Sequence, residues 1–582
     1  MTDFRSILKE YWGYDDFRGI QLPIIESIAQ GRDTLGLMPT GGGKSLTFQV
    51  PTMAMEGLCI VITPLIALMK DQVENLRSRN IQAAAIYSGM TREDIIRTLD
   101  NAIFGGVKFL YVSPERLATE LFRKKVVKMK VCLITVDESH CIAQWGHDFR
   151  PSYLNIRNLR ELLPGVPVLA LTATATPKTI DEIQQQLAFR EPHVISMSFA
   201  RPNLAYIVRD TEDKSRMLYH ILTQVPGAAI VYVISRELTE ELAADLRNSL
   251  HITAEAYHAG LPDEFKSARQ ERWKRGETRV MVATNAFGMG IDKPDVRLVI
   301  HYSSPSSIEA YFQEAGRAGR DGRLAYAVLL RDGNERRQFY NSEDMSFPPI
   351  KVVREVYDNI QYFFQMAMHD GQGCIREFDI EGFYDAFYPI THNTKTNPNR
   401  YRVLGALKLL TQAGYLRYTG EISVDSQIKM RVAPQELRHY NEITRQMYDV
   451  IEIILRKYPG IVTDYMSVNE QYLSSLLPQY SIRQIGIILE SLARARIILY
   501  YPKRKTHYII YTRPRVESSS IVIPMKQYEK QIRHQRELHE AMAEYIENDA
   551  FCRSRMLLDY FGQDTDENCG ICDVCIAKKK NK

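Results

Sequence analysis

A glycine-rich segment between an apolar run and a helical pattern constrains the fold of this chain more than any other feature. Residues 38–45 read MPTGGGKS. Glycines let the backbone turn its N–H groups toward phosphate oxygens, and a following helix adds partial positive charge. The segment therefore predicts a strand–loop–helix unit that binds a nucleotide through Thr40, Gly41, Gly42, Gly43, Lys44 and Ser45. The strict pattern has glycine at position 38, where this chain has Met38.

Within this loop, Lys44 is suited to the β- and γ-phosphates of ATP, and Ser45 is suited to Mg²⁺. An acidic box supports this interpretation. Val131–Val136 is an apolar run that predicts a buried strand, and the sequence Asp-Glu-Ser-His follows it directly. Two acids at the tip of a buried strand are costly unless a metal or a substrate uses them. We therefore expect Asp137 to bind Mg²⁺, and Glu138 to orient or deprotonate an attacking water.

Short apolar runs alternate with amphipathic stretches through the first part of the chain, which predicts parallel α/β sheets. The runs are 58–63, Phe109–Val112, Val131–Val136 and Val168–Thr172, and a second set comprises 228–233, Val280–Ala283 and 298–301. The pattern resets around residues 198–210, where Arg201-Pro202-Asn203 reads as a linker. The predicted fold class is α/β, with two tandem RecA-like parallel-sheet domains.

After about residue 340 the strand–helix alternation stops and tyrosine becomes frequent. Two helical stretches, 401–413 and 481–495, each run into a predicted hairpin. The first hairpin pairs 415–418 with 428–432, and the second pairs 497–501 with 507–512. This layout is typical of winged helices. The expected domains are 1–205 and 206–340 (the two sheets), 341–435 and 436–520 (two winged-helix-like domains), and 521–582 (a small helical zinc-binding domain).

Four cysteines near the C-terminus have the spacing Cys-x16-Cys-x2-Cys-x2-Cys, formed by Cys552, Cys569, Cys572 and Cys575. Four thiolates suit tetrahedral zinc. An iron–sulfur cluster, which also takes four thiolates, and unligated thiols are the alternatives. The other four cysteines are scattered and read as reduced core residues, which favours a reducing cytosol. No apolar run is long enough to predict a membrane span.

An aromatic and polar segment precedes the glycine-rich loop and includes Tyr14, Arg18 and Gln21. A glutamine amide can bind the adenine edge, and a tyrosine ring can stack on the base. The segment therefore predicts the base-binding part of the nucleotide site. Packing of an aromatic helix start against the sheet is the alternative.

Taken together, these motifs resemble the RecQ family of superfamily 2 helicases. The matching segments are 17–21, 38–45, 63–73 (TPLIALMKDQV), 137–151 (DESHCIAQWGHDFRP), 171–176 (LTATAT), 257–261 (YHAGL), 283–294 (ATNAFGMGIDKP) and 313–322 (QEAGRAGRDG). They cover roughly the first 330 residues. The family box is usually DEAH, and Ser139 replaces its alanine here. The zinc segment also matches. However, it follows the winged-helix candidates, whereas in many members it follows the second sheet domain directly.

The resemblance implies several site residues. An aromatic-rich loop that couples DNA contact to ATP hydrolysis would comprise Gln144, Trp145, His147, Phe149 and Arg150, with His140 beside it. Aromatic faces can stack on unpaired bases and arginine can bind phosphate, which agrees with that role. Arg320 is implied as the arginine finger, with Arg317 second. The family also implies structural zinc and 3′ to 5′ polarity.

Residues 491–515 are basic and contain no Asp or Glu. Interleaved tyrosines accompany the cations, so this predicted wing is a hypothetical duplex-DNA contact through Lys503, Arg504 and Lys505. The alternative, a solvated hairpin whose tyrosines pack on its own helix, is equally compatible with the sequence.

The sequence thus predicts an ATP-dependent 3′–5′ DNA helicase of repair or recombination that uses ATP, Mg²⁺ and Zn²⁺. We expect it to bind single-stranded and duplex DNA, with a single-strand-binding protein as a candidate partner, as a monomer in the cytoplasm and near the nucleoid if bacterial. An RNA or nucleoprotein-remodelling translocase is the first alternative. A non-enzymatic scaffold is the second, and the intact Lys44, Asp137, Glu138 and Arg320 argue against it.

Overall fold

The computed structural model describes residues 3–39, 41–87, 89–143, 150–288, 293–389, 398–419, 422–424, 426–440, 443–458, 460–502 and 504–580. The chain forms two compact units, one comprising Met1–Tyr340 with Arg533–Lys582 and the other Asn341–Ile532. Among the described residues, no helix combines the length and the apolar character needed to cross a membrane.

The first domain is built on a seven-stranded sheet in which all neighbouring strands are parallel. Its strands are β1 (Thr34–Leu37), β2 (Leu58–Ile62), β3 (Ala83–Ile86), β4 (Phe109–Val112), β5 (Val131–Val136), β6 (Val168–Thr172) and β7 (Val194–Ser196), in the order β3-β4-β2-β5-β6-β1-β7. Its helices are α1 (Phe4–Trp12), α2 (Gln21–Ala29), α3 (Leu46–Ala54), α4 (Ile66–Arg77), α5 (Arg92–Phe104), α6 (Glu120–Val126), α7 (Asn155–Leu162) and α8 (Pro177–Gln186).

The second domain has a six-stranded sheet that is also parallel throughout. Its strands are β8 (Leu204–Asp210), β9 (Ala228–Tyr232), β10 (Ala254–Tyr257), β11 (Val280–Ala283), β12 (Val296–His301) and β13 (Ala325–Arg331), in the order β10-β11-β9-β12-β13-β8. Its helices are α9 (Lys214–Gln224), α10 (Arg236–Leu250), α11 (Asp263–Arg275) and α12 (Ile308–Ala315). The predicted pair of parallel α/β domains is confirmed. The physical reason is that strands made of continuous apolar runs need helices on both faces of the sheet to bury them.

The remaining elements follow in the order α13 (Glu335–Ser346), α14 (Ile350–Phe363), β14 (Ile375–Phe378), α15 (Ile380–Phe387), α16 (Pro398–Gln412), β15 (Leu416–Tyr418), β16 (Ile422–Val424), β17 (Ser426–Met430), α17 (Arg445–Lys457), β18 (Met466–Val468), α18 (Glu470–Leu476), α19 (Ile482–Arg494), β19 (Ile498–Tyr501), β20 (Arg504–Tyr511), α20 (Met525–Glu547), α21 (Arg553–Tyr560) and α22 (Asp573–Lys580). Both predicted helical stretches are present as α16 and α19. Ser481 caps α19 through a capping box with Gln484.

The two predicted hairpins are wrong. Strand β15 pairs with β20, and β17 pairs with β19 and β18, so each strand takes a partner distant in sequence. The paired strands belong to two separate hydrophobic cores. Leu416 of β15 packs with Ile509 and Tyr511 of β20 in one core, and Ile428 of β17 packs with Ile498 of β19 in the other. Residues 426–501 are therefore inserted between β15 and β20 of a first small domain, as a second domain with its own core.

Candidate nucleotide site and zinc centre

The glycine-rich loop connects β1 to α3, and hydrogen bonds from the Gln21 side chain hold it in place. Gln21 Nε2 donates to the carbonyl oxygens of Gly42 and Gly43, both at 3.2 Å. Gly43 has a φ of 76°, and a Cβ there would collide with Gln21 Nε2, so this position requires glycine. Met38 is fully buried and packs in the core with Ile24 and Phe48. Its side chain lies against the loop, with Cε 3.6 Å from a Cβ built on Gly42, and fills core space there, which explains why a methionine is tolerated.

The loop lysine faces the acidic box. Lys44 Nζ lies 3.9 Å from Glu138 Oε1, and among the described residues it has no hydrogen-bond partner. Glu138 has a left-handed backbone with a φ of 47°, which is uncommon for a residue other than glycine and is typical of functional sites. Its N–H donates to Asp137 Oδ1 at 3.0 Å. The charge of Lys44 is thus available to an anion in front of the box.

Burial raises the pKa of the Asp137 carboxyl, the neighbouring Glu138 charge raises it further, and Lys44 opposes both effects. A half-buried and a buried acid beside one lysine leave an excess of negative charge. Mg²⁺ prefers oxygen ligands such as carboxylates. Asp137, together with the Ser45 hydroxyl at the start of α3, therefore forms a donor set that fits this cation.

His140 lies behind the acidic box instead of on the surface. It is 2% exposed, its Nδ1 shares a 2.9 Å hydrogen bond with Thr172 Oγ1, and it lies 3.5 Å from Glu138 Oε2. Thr172 ends β6 within the LTATAT segment, and its hydroxyl donates to the carbonyl of Thr174 at 3.3 Å. The box is therefore connected through His140 to the end of the adjacent strand.

The aromatic-rich loop begins just beyond this point. Arg150 is half-buried, and its backbone N–H donates to the carbonyl of Cys141 at 2.9 Å. Four of the predicted residues of this loop lie outside the described residues: Gln144, Trp145, His147 and Phe149. The predicted site residues Thr40 and Lys503 also lie outside them.

The expected base-binding residues divide into two groups. Tyr14 is half exposed, and the Arg18 guanidinium lies 5.9 Å from the centroid of its ring. Gln21 is buried, and its Oε1 accepts the Arg18 N–H at 2.8 Å. The Gln21 amide thus braces the phosphate loop in this structure, whereas the Tyr14 ring remains accessible for stacking on a base.

Arg320 of the second domain reaches the phosphate loop of the first. A Cβ built on Gly41 would lie 3.2 Å from Arg320 Cδ. Arg317, by contrast, is buried, and its Nη2 would lie 3.2 Å from a Cβ on Gly288 of its own domain. The two arginines therefore differ in position, and Arg320 is the one beside the glycine-rich loop.

The interdomain linker holds the Arg320 loop in place, a contact that the sequence does not predict. The Arg201 guanidinium donates to the carbonyl oxygens of Gly316, Ala318 and Gly319 at 3.3, 2.8 and 3.1 Å. Asn203 Nδ2 also donates to the Gly319 carbonyl, at 2.7 Å. The Arg-Pro-Asn sequence of the linker was the available signal, although nothing in it identified the partner.

The four C-terminal cysteines converge, as their spacing predicts. All four Sγ atoms lie within 4.8 Å of one another. The backbone N–H groups of Cys569, Cys572 and Cys575 donate to the Sγ atoms of Cys552, Cys569 and Cys572, at 3.3 to 3.4 Å. Such donors stabilise thiolates, so the cluster fits a tetrahedral zinc ion with no open position.

The zinc segment packs against both sheet domains. The buried Arg553 donates to Asp573 at 2.8 Å, and Asp573 Oδ2 accepts the N–H of Val208 in β8 at 2.8 Å. Gln563 Oε1 accepts the N–H of Phe199, just before the linker, at 2.7 Å. Folding of the cluster is therefore coupled to the edge of the second sheet.

We expect zinc to hold this segment together. Cys572→Ser should reduce the zinc content, measured by atomic emission, from about one ion per chain to near zero, and should lower the melting temperature, because structural zinc supplies folding energy. Cys374→Ser, a cysteine outside the cluster, is the matched control. Zinc-free wild-type protein with an unchanged melting curve, or iron in place of zinc, would contradict this assignment.

Comparison with known proteins agrees with this domain organisation. Family models match in four places: DEAD/DEAH box helicase (18–183), Helicase conserved C-terminal domain (213–322), RecQ helicase winged-helix domain, Bacteroidota (428–502), and RecQ zinc-binding (510–576). The DNA- and AMPPNP-bound structure of the DUF1998 helicase MrfA has a similar fold, with a TM-score of 0.50 at 16% identity over 58% of this chain and 51% of that one.

Curated relatives agree with this chain in sequence over more than half of its length. The ATP-dependent DNA helicase RecQ of Haemophilus influenzae is 43% identical over 326 residues, which are 56% of this chain and 52% of that protein. The probable ATP-dependent DNA helicase RecS of Bacillus subtilis is 39% identical over 377 residues, 64% of this chain and 76% of that protein. This chain spans about half the length of the RecQ proteins it matches. Tandem RecA-like domains with a phosphate loop and an acidic box define a helicase core. The chain belongs to the RecQ family of helicases.

Proposed function

We propose that this protein is an ATP-dependent DNA helicase that moves 3′ to 5′ on single-stranded DNA and separates duplexes during repair or recombination. The observation that carries the proposal is the meeting of two half-sites: Lys44 faces Glu138 in the first domain, and Arg320 of the second domain lies against Gly41. Relatives named as ATP-dependent DNA helicases support the choice of activity and of DNA.

In the proposed reaction, Lys44 binds the β- and γ-phosphates, and the loop glycines Gly41, Gly42 and Gly43 bring backbone N–H groups to them. Ser45 and Asp137 would hold Mg²⁺, which would neutralise negative charge on the phosphates. Glu138 orients the attacking water and accepts its proton. The left-handed backbone of Glu138 directs its carboxylate toward the lysine, which fits this role.

Arg320 completes the site from the second domain. A guanidinium stabilises the charge on the transferred phosphoryl group, and it can do so only while the two domains are closed. ATP would therefore favour closure, and hydrolysis would favour opening. Repeated closure along a strand is a motor cycle. One chain supplies both half-sites, so a monomer suffices for it.

The segment after the acidic box would couple DNA binding to ATP hydrolysis at the nucleotide site. We propose that Gln144, Trp145, His147, Phe149 and Arg150 contact the strand, with His140 connecting the loop to Glu138. The hydrogen bond between His140 and Thr172 supports the connection, because it joins the box to a second strand end of the same sheet.

An RNA or nucleoprotein-remodelling translocase remains the competing activity. Steady-state ATP hydrolysis, measured with single-stranded DNA, single-stranded RNA and no nucleic acid, separates the two. The proposal predicts that DNA stimulates hydrolysis far more than RNA does. Equal stimulation by both, or stimulation by RNA alone, would favour the alternative.

We further propose that Lys503, Arg504 and Lys505 bind the phosphates of duplex DNA. The triple variant Lys503→Glu, Arg504→Glu, Lys505→Glu should weaken duplex binding and lower the slope of log affinity against log salt by about 2–3, since each phosphate contact contributes roughly 0.9. Fluorescence anisotropy with a blunt duplex measures both quantities.

The matched control replaces Lys9, Lys124 and Lys130 with glutamate. These lysines of the first sheet domain are exposed and equal in number. If the control variant loses as much affinity as the triple variant, a general charge effect explains the loss and the proposed contact is refuted.

A further inference from the structure

The inserted domain 426–501 presents one face of a small sheet to solvent. Strand β17 is central, with β18 and β19 on either side of it. Its inward residues Ile428 and Met430 are buried against α17, α18 and α19, together with Val468 and Ile498. The alternate residues therefore form an outer face that no described helix of this domain covers.

Two tyrosines dominate that outer face. Tyr465 and Tyr501 are 41% and 53% exposed, and their ring centroids are 5.7 Å apart at an interplanar angle of 52°. Lys429 projects between the flanking strands, with its Nζ 5.8 Å from the centroid of the Tyr465 ring. Neither ring belongs to the hydrophobic core of the inserted domain, and adjacent exposed aromatic rings are typical of an interaction surface.

Cations accompany the pair on this face. Lys429 of β17 lies on the outer face, and Arg431 occupies the next alternate position along the chain. The exposed Asp464, next to Tyr465, is an acid at one edge, whereas Glu470 lies on the inner side, where it accepts a hydrogen bond from the Tyr500 hydroxyl at 2.8 Å. Such a face is complementary to a polyanion whose flat groups can reach the rings.

We infer that the outer face of the inserted sheet, defined by Lys429, Tyr465 and Tyr501, binds single-stranded DNA by stacking unpaired bases on the two tyrosines. The inference rests on the proposed function, in which strand separation delivers such a strand. Aromatic side chains on a sheet stack bases of any sequence, while basic residues follow the backbone. Paired bases are already stacked within a duplex, so the face selects the unpaired strand.

This role differs from that of residues 503–505, which follow Tyr501 directly. Those cations would contact phosphates of the duplex, whereas the tyrosines would contact bases of a separated strand. The two surfaces are adjacent in the chain, which suits the junction between paired and unpaired DNA.

The test uses the full chain without nucleotide and an oligothymidylate that carries 5-iododeoxyuridine, which crosslinks to stacked aromatic rings on irradiation. Tryptic peptides are then mapped by mass spectrometry. We expect crosslinks at Tyr465 or Tyr501, and none when the same oligonucleotide is annealed into a blunt duplex. The variant Tyr465→Ala, Tyr501→Ala should reduce the affinity for the single strand about 25-fold or more, since each stacked base contributes a factor of roughly five or more.

Two controls separate stacking from other effects. Tyr465→Phe, Tyr501→Phe keeps both rings and should bind like the wild type, while Tyr472→Ala removes an equally exposed tyrosine from α18 and should change nothing. Crosslinks confined to other parts of the chain, together with unchanged affinity of the double alanine variant, would overturn the inference. So would equal crosslinking by the duplex, or tighter binding of oligouridylate RNA.

Parallel assays of ATP hydrolysis distinguish this inference from the proposed function. The double alanine variant should retain stimulation by saturating single-stranded DNA, because neither tyrosine belongs to the nucleotide site. Wild-type protein that crosslinks at the tyrosines but shows no DNA-stimulated hydrolysis would refute the helicase proposal and leave the binding surface standing.

Discussion

Lys44→Ala is expected to reduce DNA-stimulated ATP hydrolysis on the order of 10³-fold, with single-stranded DNA still bound. Lys44 Nζ lies 3.9 Å from Glu138 Oε1, and the Lys44 side chain is 15% exposed. Loss of a cation that contacts the transferred phosphate removes stabilisation that grows in the transition state. Phosphate release under saturating DNA measures the effect.

A control variant is available on the same domain. Lys9→Ala removes an exposed lysine that pairs with Asp15, and it should leave hydrolysis unchanged. If hydrolysis in Lys44→Ala survives at the wild-type rate, the proposed mechanism as a whole is wrong, because the γ-phosphate would have lost its main cation.

Arg320→Ala is expected to have the second large effect, a fall in kcat of about 10³-fold or more with little change in KM for ATP. An arginine finger acts on the transition state from the opposite domain, so its loss affects the rate far more than ground-state binding. The position of the Arg320 side chain against Gly41 places it on the phosphate side of the site.

Two neighbouring arginines serve as controls. Arg323→Ala changes an exposed residue of the same loop and should preserve kcat. Arg317→Ala removes a buried guanidinium and should lower the melting temperature, because its neighbours lose a packed and charged side chain. If Arg317→Ala abolishes hydrolysis in a stably folded protein while Arg320→Ala does not, the assignment of the finger is reversed.

The sheets were predictable because their strands are buried on both faces. Phe109–Val112, Val131–Val136, Val168–Thr172 and Val280–Ala283 have the predicted bounds, since continuous apolar runs leave little freedom in where a strand begins and ends. The cysteine cluster was predictable for a similar reason, because the spacing alone brings three thiols together.

Strand partners were not predictable. The alternation of apolar residues fits β17 equally well beside β15 or β19, and local closure favoured a hairpin. The structure instead joins Met430 to Ile498 in one core and Leu416 to Tyr511 in another, across an insertion of a whole domain.

Long-range contacts of single side chains could not be predicted from the sequence either. The adenine-binding role of Gln21 stays a prediction, and the hydrogen bonds from its amide to Gly42 and Gly43 are a contact that the sequence does not predict. Asp573 binds the backbone of Val208, and Arg201 binds the Arg320 loop. Each contact joins residues far apart in sequence, so their relation depends on how domains pack and leaves no periodic signal.

Strand displacement on tailed duplexes tests the central claim most directly. A labelled DNA duplex with a 3′ single-stranded tail, the same duplex with a 5′ tail, and the corresponding RNA duplexes are incubated with the full chain, ATP and Mg²⁺. The proposal predicts displacement from the 3′-tailed DNA that requires ATP hydrolysis and is lost in Lys44→Ala. Displacement without ATP, equal displacement from either tail, or displacement of RNA but not of DNA would contradict it.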